Sequence, residues 1–130
     1  MAARAMTMLA DRAPDSRVRA RLLVLAAFSR AHASRLLARL ASLGRGPLPV
    51  PPAELVLSDD LRHALEFEAS NARGAANRYN SMAALARTEA DLSTAWVCEL
   101  NRAEEEDRAQ ELTRLAQGGM VQFQAEPVAV

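Results

Sequence analysis

The stretch SRVRARLLVLAAFSRAHASRLLARLASLG, residues 16–44, followed by RGPLPVPPAELVLSDD, residues 45–60, decides the fold. Val18, Leu22, Leu25, Leu36 and Leu43 fall on one helical line, with Ser29 and His32 between them, and this spacing predicts a long helix with one apolar face. Asp15 or Ser16 starts it, and Gly44 reads as its C-terminal stop. From Gly44 to Leu57 four prolines exclude helix.

Working outward, the segment from Ala3 to Arg12 predicts a short first helix that stops before Pro14. Ser58, followed by Asp59 and Asp60, reads as the N-cap of a third helix, with acids suited to the positive end of its dipole. That helix carries Leu61, Leu65, Glu68, Ala72, Ala75, Tyr79, Met82 and Ala86 on one stripe, in which Glu68 is the anomaly. Thr88 and Asp91 mark a break, and a fourth helix follows to about Gly118–Gly119. Residues 1–118 thus form one helical domain, and residues 119–130 an extended or flexible tail.

The two halves resemble each other. Met6, Leu9, Ala10, Asp15, Ala27, Ala33 and Leu36 each recur 76 residues later as Met82, Leu85, Ala86, Asp91, Ala103, Ala109 and Leu112, without a gap. This is the pattern of a duplicated helical hairpin. A 28-residue helix is about 40 Å long. The fourteen residues from Gly44 to Leu57 span roughly 43 Å in a proline-rich extended form, enough to cross the bundle from end to end. The expected class is therefore all-α, an antiparallel four-helix bundle with a long proline-rich crossover and a shortened first helix.

Composition agrees with the class. The chain has 130 residues, suited to a single domain, and is rich in Ala, Leu and Arg but poor in aromatics. Formal net charge is zero, with nine Arg against three acids in residues 1–57 and seven against thirteen in 58–130. Halves of opposite sign suit packing on each other or on a second copy, and argue against nucleic acid. The lone Cys98 forms neither an internal disulfide nor a metal framework. No apolar run is long enough for a membrane span and the N-terminus lacks a signal-peptide core, so the expected location is the cytoplasm.

The residues LAAFSRAHASRLLARLASLG (25–44) and NRAEEEDRAQELTRL (101–115) resemble the second and fourth helices of ferritin-like and rubrerythrin-like proteins. That resemblance implies a di-iron centre held by a Glu-x-x-His pair on each of these helices and one Glu from each of the others. Here His32 matches one histidine, but Ser29 stands for its glutamate; Glu105 matches the other glutamate, but Arg108 stands for its histidine. On the third helix Tyr79 matches the aromatic, Ala72 takes the ligand position, and the first-helix position would precede Met1, whose standing as the true start is open. Two of six ligands remain, and Arg108 adds a fixed positive charge.

Arg108 and Glu68 each lie twenty residues from Thr88, which predicts an ion pair between them with Ser29, His32, Tyr79 and Glu105 nearby, in the space a metal would fill. Because the first helix is short, Leu36, Leu43, Leu61, Leu65 and Leu112 are expected to lack a neighbour and to form an interface. Trp96, Phe28 and Phe67 are read as core or interface packing, His63 as solvent-exposed, and Glu104, Glu106, Asp107 and Glu111 as a solvated acidic face.

The leading expectation is a non-catalytic interaction or assembly module, without a cofactor, forming a homo-oligomer or binding a protein partner. The alternative is an iron-binding non-haem protein, for storage or oxidoreduction, whose site is completed from His32, Glu68 and Glu105 across a dimer interface. No phosphate loop and no nucleophile-base spacing points to another catalytic class.

Overall fold

A computed structural model of the protein describes residues 2–46, 55 and 57–119. It is all-helical over these residues: α1 (Ala2–Arg12), α2 (Ser16–Ser42), α3 (Leu61–Thr88) and α4 (Leu92–Arg114), followed by a wider π-helical turn (Leu115–Gly119) broken at Gly118. Among them, no helix is long and apolar enough to cross a membrane. The proline-rich crossover lies largely, and the C-terminal tail beyond Gly119 wholly, outside the described residues.

The caps explain the boundaries. The Asp15 carboxylate accepts from the backbone N–H of Arg17 (2.7 Å) and Val18 (3.4 Å), and Asp91 accepts from that of Thr94 (3.1 Å). Both members of the repeated Asp15/Asp91 pair therefore do the same work, satisfying donors that a helix start leaves open. The third helix departs from expectation. Its N-cap is Asp60, which accepts from Arg62 N–H, whereas Ser58 accepts from Asp60 N–H two residues earlier.

Gly44 takes a left-handed φ of 75° while its own N–H and that of Arg45 bond back to Ala41 and Leu40, a Schellman stop. The α3–α4 turn uses the same device with Ala90 in place of glycine, at φ 57°. The Cβ makes that conformation unfavourable by roughly 1–2 kcal/mol.

Helix directions follow from their cross-links. Arg21 bonds Glu111, His32 bonds Glu105, Arg35 bonds Asn101 and Arg39 bonds Asp91, so partners fall along α4 as they rise along α2. Across the α3–α4 hairpin Glu68 faces Arg108, Arg73 bonds Thr113, and Arg87 pairs with Glu99.

The large apolar side chains gather at the end where α1 lies. Met6 and Leu9 of α1, Val18, Leu22 and Leu25 of α2, Leu65 of α3, Leu112 of α4 and Leu115 form one buried cluster. Leu65 and Leu112 are fully buried in it, which corrects their assignment to an interface. The short α1 packs on α2, reaches this end of α3, and adds Met6 and Leu9 to the cluster that buries both leucines. Leu61 is partly buried against the same cluster, Leu36 is half-buried, and Leu43 is exposed.

Toward the other end, α3 and α4 meet through small residues, Ala72, Ala76, Ala83, Ala86, Ala95 and Cys98, and α1 covers nothing. Met6 and Leu9 are buried while their repeat counterparts Met82 and Leu85 are exposed. The duplication is matched in the caps but not in burial, because α1 has 11 residues and α3 has 28.

Candidate functional site: a buried ionic cluster between the hairpins

At mid-height, α2, α3 and α4 bring Ser29, His32, Glu68, Asn101, Glu105 and Arg108 together, all buried. On α4 the residues Cys98, Asn101, Glu105, Arg108 and Leu112 alternate in steps of three and four, so that a single helical face carries both the polar cluster and the apolar core.

His32 stands between two carboxylates. Its Nδ1 lies 3.0 Å from Glu105 Oε1 and its Nε2 2.6 Å from Glu104 Oε2. Tyr79 meets the ring edge-on at a centroid distance of 6.4 Å, and burial pushes the Tyr79 hydroxyl pKa up. Asn101 ties the cluster to the backbone, donating from Nδ2 to His32 C=O (3.4 Å) and accepting at Oδ1 from Arg35 (3.1 Å).

Arg108 fills the position where the resemblance calls for a histidine ligand. Its Nε and Nη2 donate to Glu105 Oε2 at 2.9 and 2.8 Å, and Nη1 lies 3.9 Å from Glu68 Oε2. The Glu68 and Arg108 side chains thus face each other across a gap longer than a hydrogen bond. Arg108 Nη1 and Ser29 Oγ find no hydrogen-bond partner among the described residues.

The carboxylates are tuned in opposite directions. Arg35, with its two bonds to Glu104 (2.6 and 3.1 Å), holds that carboxyl below the usual range. Burial alone would raise Glu105, but the His32 hydrogen bond and the Arg108 charge outweigh it and the group ends low. In Glu68 burial wins over Arg108, and the pKa is raised.

Signs follow for stability. Relative to an ordinary value of 4.5, the depressed Glu104 and Glu105 contribute above that pH and their contribution fades as pH falls through their folded values. The raised Glu68 contributes below 4.5 and loses its contribution as pH climbs through its folded value. Glu68→Gln is therefore expected to flatten the decline in unfolding free energy above pH 4.5 while leaving the acid-side decline in place. Urea titrations across this range test it, and identical profiles for the two proteins would refute the assignment to Glu68.

A ferritin-like di-iron centre does not fit these residues. Both nitrogens of His32 face glutamates, Glu105 Oε2 accepts two guanidinium bonds, and Arg108 stands between Glu105 and Glu68. A cation there would meet a fixed positive charge. Among the described residues, no group of three or more His, Cys, Asp or Glu side chains is placed to hold a metal ion. The set His32, Glu68, Glu105 is spread over an ion-pair chain instead of converging on one point.

No family model, curated protein or solved structure matches the chain.

Several participants escape a reading of the sequence. Glu104 and Glu111 belong to the seam between α2 and α4 and not to a free acidic face, since Glu104 meets His32 and Arg35, and Glu111 meets Arg21 at 2.6 Å. Arg39 completes the seam by reaching Asp91 (2.8 Å) and Thr94 (2.7 Å). The signal for Asn101 was its place on the Cys98–Glu105 stripe, and for Arg35 its position one turn after His32. Trp96, Phe28 and Phe67 are exposed and contribute nothing to the core. His63 is exposed beside Asp60, and Cys98 is buried, its thiol pKa raised by burial.

Proposed function

We propose that the protein is a ferritin-like helical bundle in which a salt-bridged cluster stands where a di-metal centre would be, and that it acts in the cytoplasm as an interaction or assembly module. The occupant of its exposed face is a second copy or a protein partner. The cluster supports the structural half of this reading: His32, Glu104, Glu105, Arg108 and Arg35 are engaged with one another rather than left open for chemistry.

One observation carries the association. The end of the bundle that α1 does not reach presents large apolar side chains to solvent: Leu92 (71% exposed), Trp96 (66%) and Leu85 (63%), with Met82 and Leu43 close behind. Leu92 and Trp96 lie one turn apart on the outer face of α4, and Met82 and Leu85 pair in the same way on α3. Arg39 places the end of α2, and with it Leu43, at this same end of the bundle. Apolar groups of this size gathered at one end mark an interaction surface.

Light scattering coupled to size exclusion tests the proposal with the double variant Leu92→Ser, Trp96→Ser. The native chain is expected to run as a dimer or larger species and the variant as a monomer of unchanged thermal stability, because neither side chain is buried. A native chain that stays monomeric at all concentrations and retains no partner in a pull-down would overturn it.

A further inference from the structure

A cleft of about 550 Å³ opens beside the ionic cluster, between the N-terminal turn of α1, the outer flank of α3 and the buried face of α4. Ala5, Leu55, Phe67 and Ala75 contribute to its apolar wall, and Glu68 and Arg108 to its polar floor. The volume falls in the range of sites for small organic molecules, and a mostly apolar wall with a few convergent polar groups is the usual composition of such sites.

The floor has an unmade bond. Arg108 spends Nε and Nη2 on Glu105, while Nη1 is buried, finds no acceptor among the described residues, and lies 3.9 Å from Glu68 Oε2. Leaving a charged donor buried and unsatisfied is costly. Glu68 carries the complementary need, because burial raises its pKa and its Oε1 has only a long contact, 3.4 Å, from Asn71. A hydroxyl lodged between them accepts from Arg108 Nη1 and donates to Glu68. Either simple ion is disfavoured: an anion would face Glu68 and Glu105, and a cation would face Arg108 and Arg78. The small side chains of Ala5 and Ala75 leave room for a ring against Phe67.

We infer that the cleft beside α1 is a binding site for a neutral, hydroxyl-bearing small molecule with a compact apolar body, its hydroxyl bridging Arg108 and Glu68. The inference is independent of the association proposed above, since the exposed surface used there lies at the opposite end of α3.

Phenol is the probe, with toluene lacking the hydroxyl and benzoate adding a charge. In amide NMR titrations of the full chain, phenol is expected to shift Asn71, Ala75 and Arg108 saturably with a dissociation constant of roughly millimolar, as suits so few atoms. Toluene should bind at least about tenfold more weakly, since it leaves both floor groups unsatisfied. Benzoate should produce no saturable shift at these residues. Ala75→Phe, which fills the cleft from its half-buried wall, should abolish phenol binding. Equal affinities for phenol and toluene, preference for benzoate, or no saturable shift with phenol would each overturn the inference. These comparisons on the unaltered chain decide it even if the variant fails to fold.

Discussion

Replacing Arg108 with Met is expected to destabilise the fold by about 3–5 kcal/mol, the range for breaking a buried ion pair by removing one partner. Arg108 is 2% exposed and is the principal positive charge facing Glu105 and Glu68 from within α4. Its loss strands two carboxylates in the interior, with His32 left as a partner for Glu105 alone. Adding Glu105→Gln and Glu68→Leu to the variant should restore most of the loss, because a neutral or apolar interior of the same volume is often as stable as a buried ionic one. Chemical denaturation of the single and triple variants measures both effects. A single variant within about 1 kcal/mol of the native chain would mean that solvent reaches the cluster and that the buried-pair account is mistaken.

Leu112→Ala should cost about 2–5 kcal/mol and leave the association state unchanged. Leu112 is fully buried among Leu22, Leu65 and Leu115, so truncation opens a cavity in the chain's main apolar cluster. Were it instead an interface residue, truncation would weaken association and spare the isolated chain. Leu43→Ala provides the contrast: the side chain is half exposed, and its stability effect should stay within roughly 0.5 kcal/mol. Denaturation and light scattering on both variants separate core from surface, and a change in oligomer size without a loss of stability for Leu112→Ala would reverse the assignment.

Much of the helical architecture was legible because it rests on local chemistry. Asp15, Pro14, Gly44 and the apolar stripe of residues 18–43 set the limits of α2 to within two residues, since caps and periodicity act over a single turn. The Arg108–Glu68 approach followed from equal distances along two arms of a hairpin, a matter of counting residues. By contrast, the Ala90 turn carried no glycine signal, so its left-handed stop was invisible in the residues.

Which faces are covered was beyond the reach of any local pattern. Met6 and Met82 occupy equivalent places in the duplicated hairpins, yet one is fully buried and the other exposed, because burial depends on the length of a helix distant in sequence. Leu65 and Leu112 carry no local sign of being covered, yet both are fully buried in the cluster to which α1 contributes Met6 and Leu9. Glu104 looked like one acid among several until α2 brought His32 and Arg35 to it from about seventy residues away. The sequence alone determined that this chain is helical and where most of its helices start and stop. Only the tertiary structure decided which apolar residues form the core, which remain exposed, and that the polar residues at the centre are engaged mainly with one another. The physical reason is range: caps and periodicity act within a turn, whereas burial and charge pairing depend on what the rest of the chain places alongside.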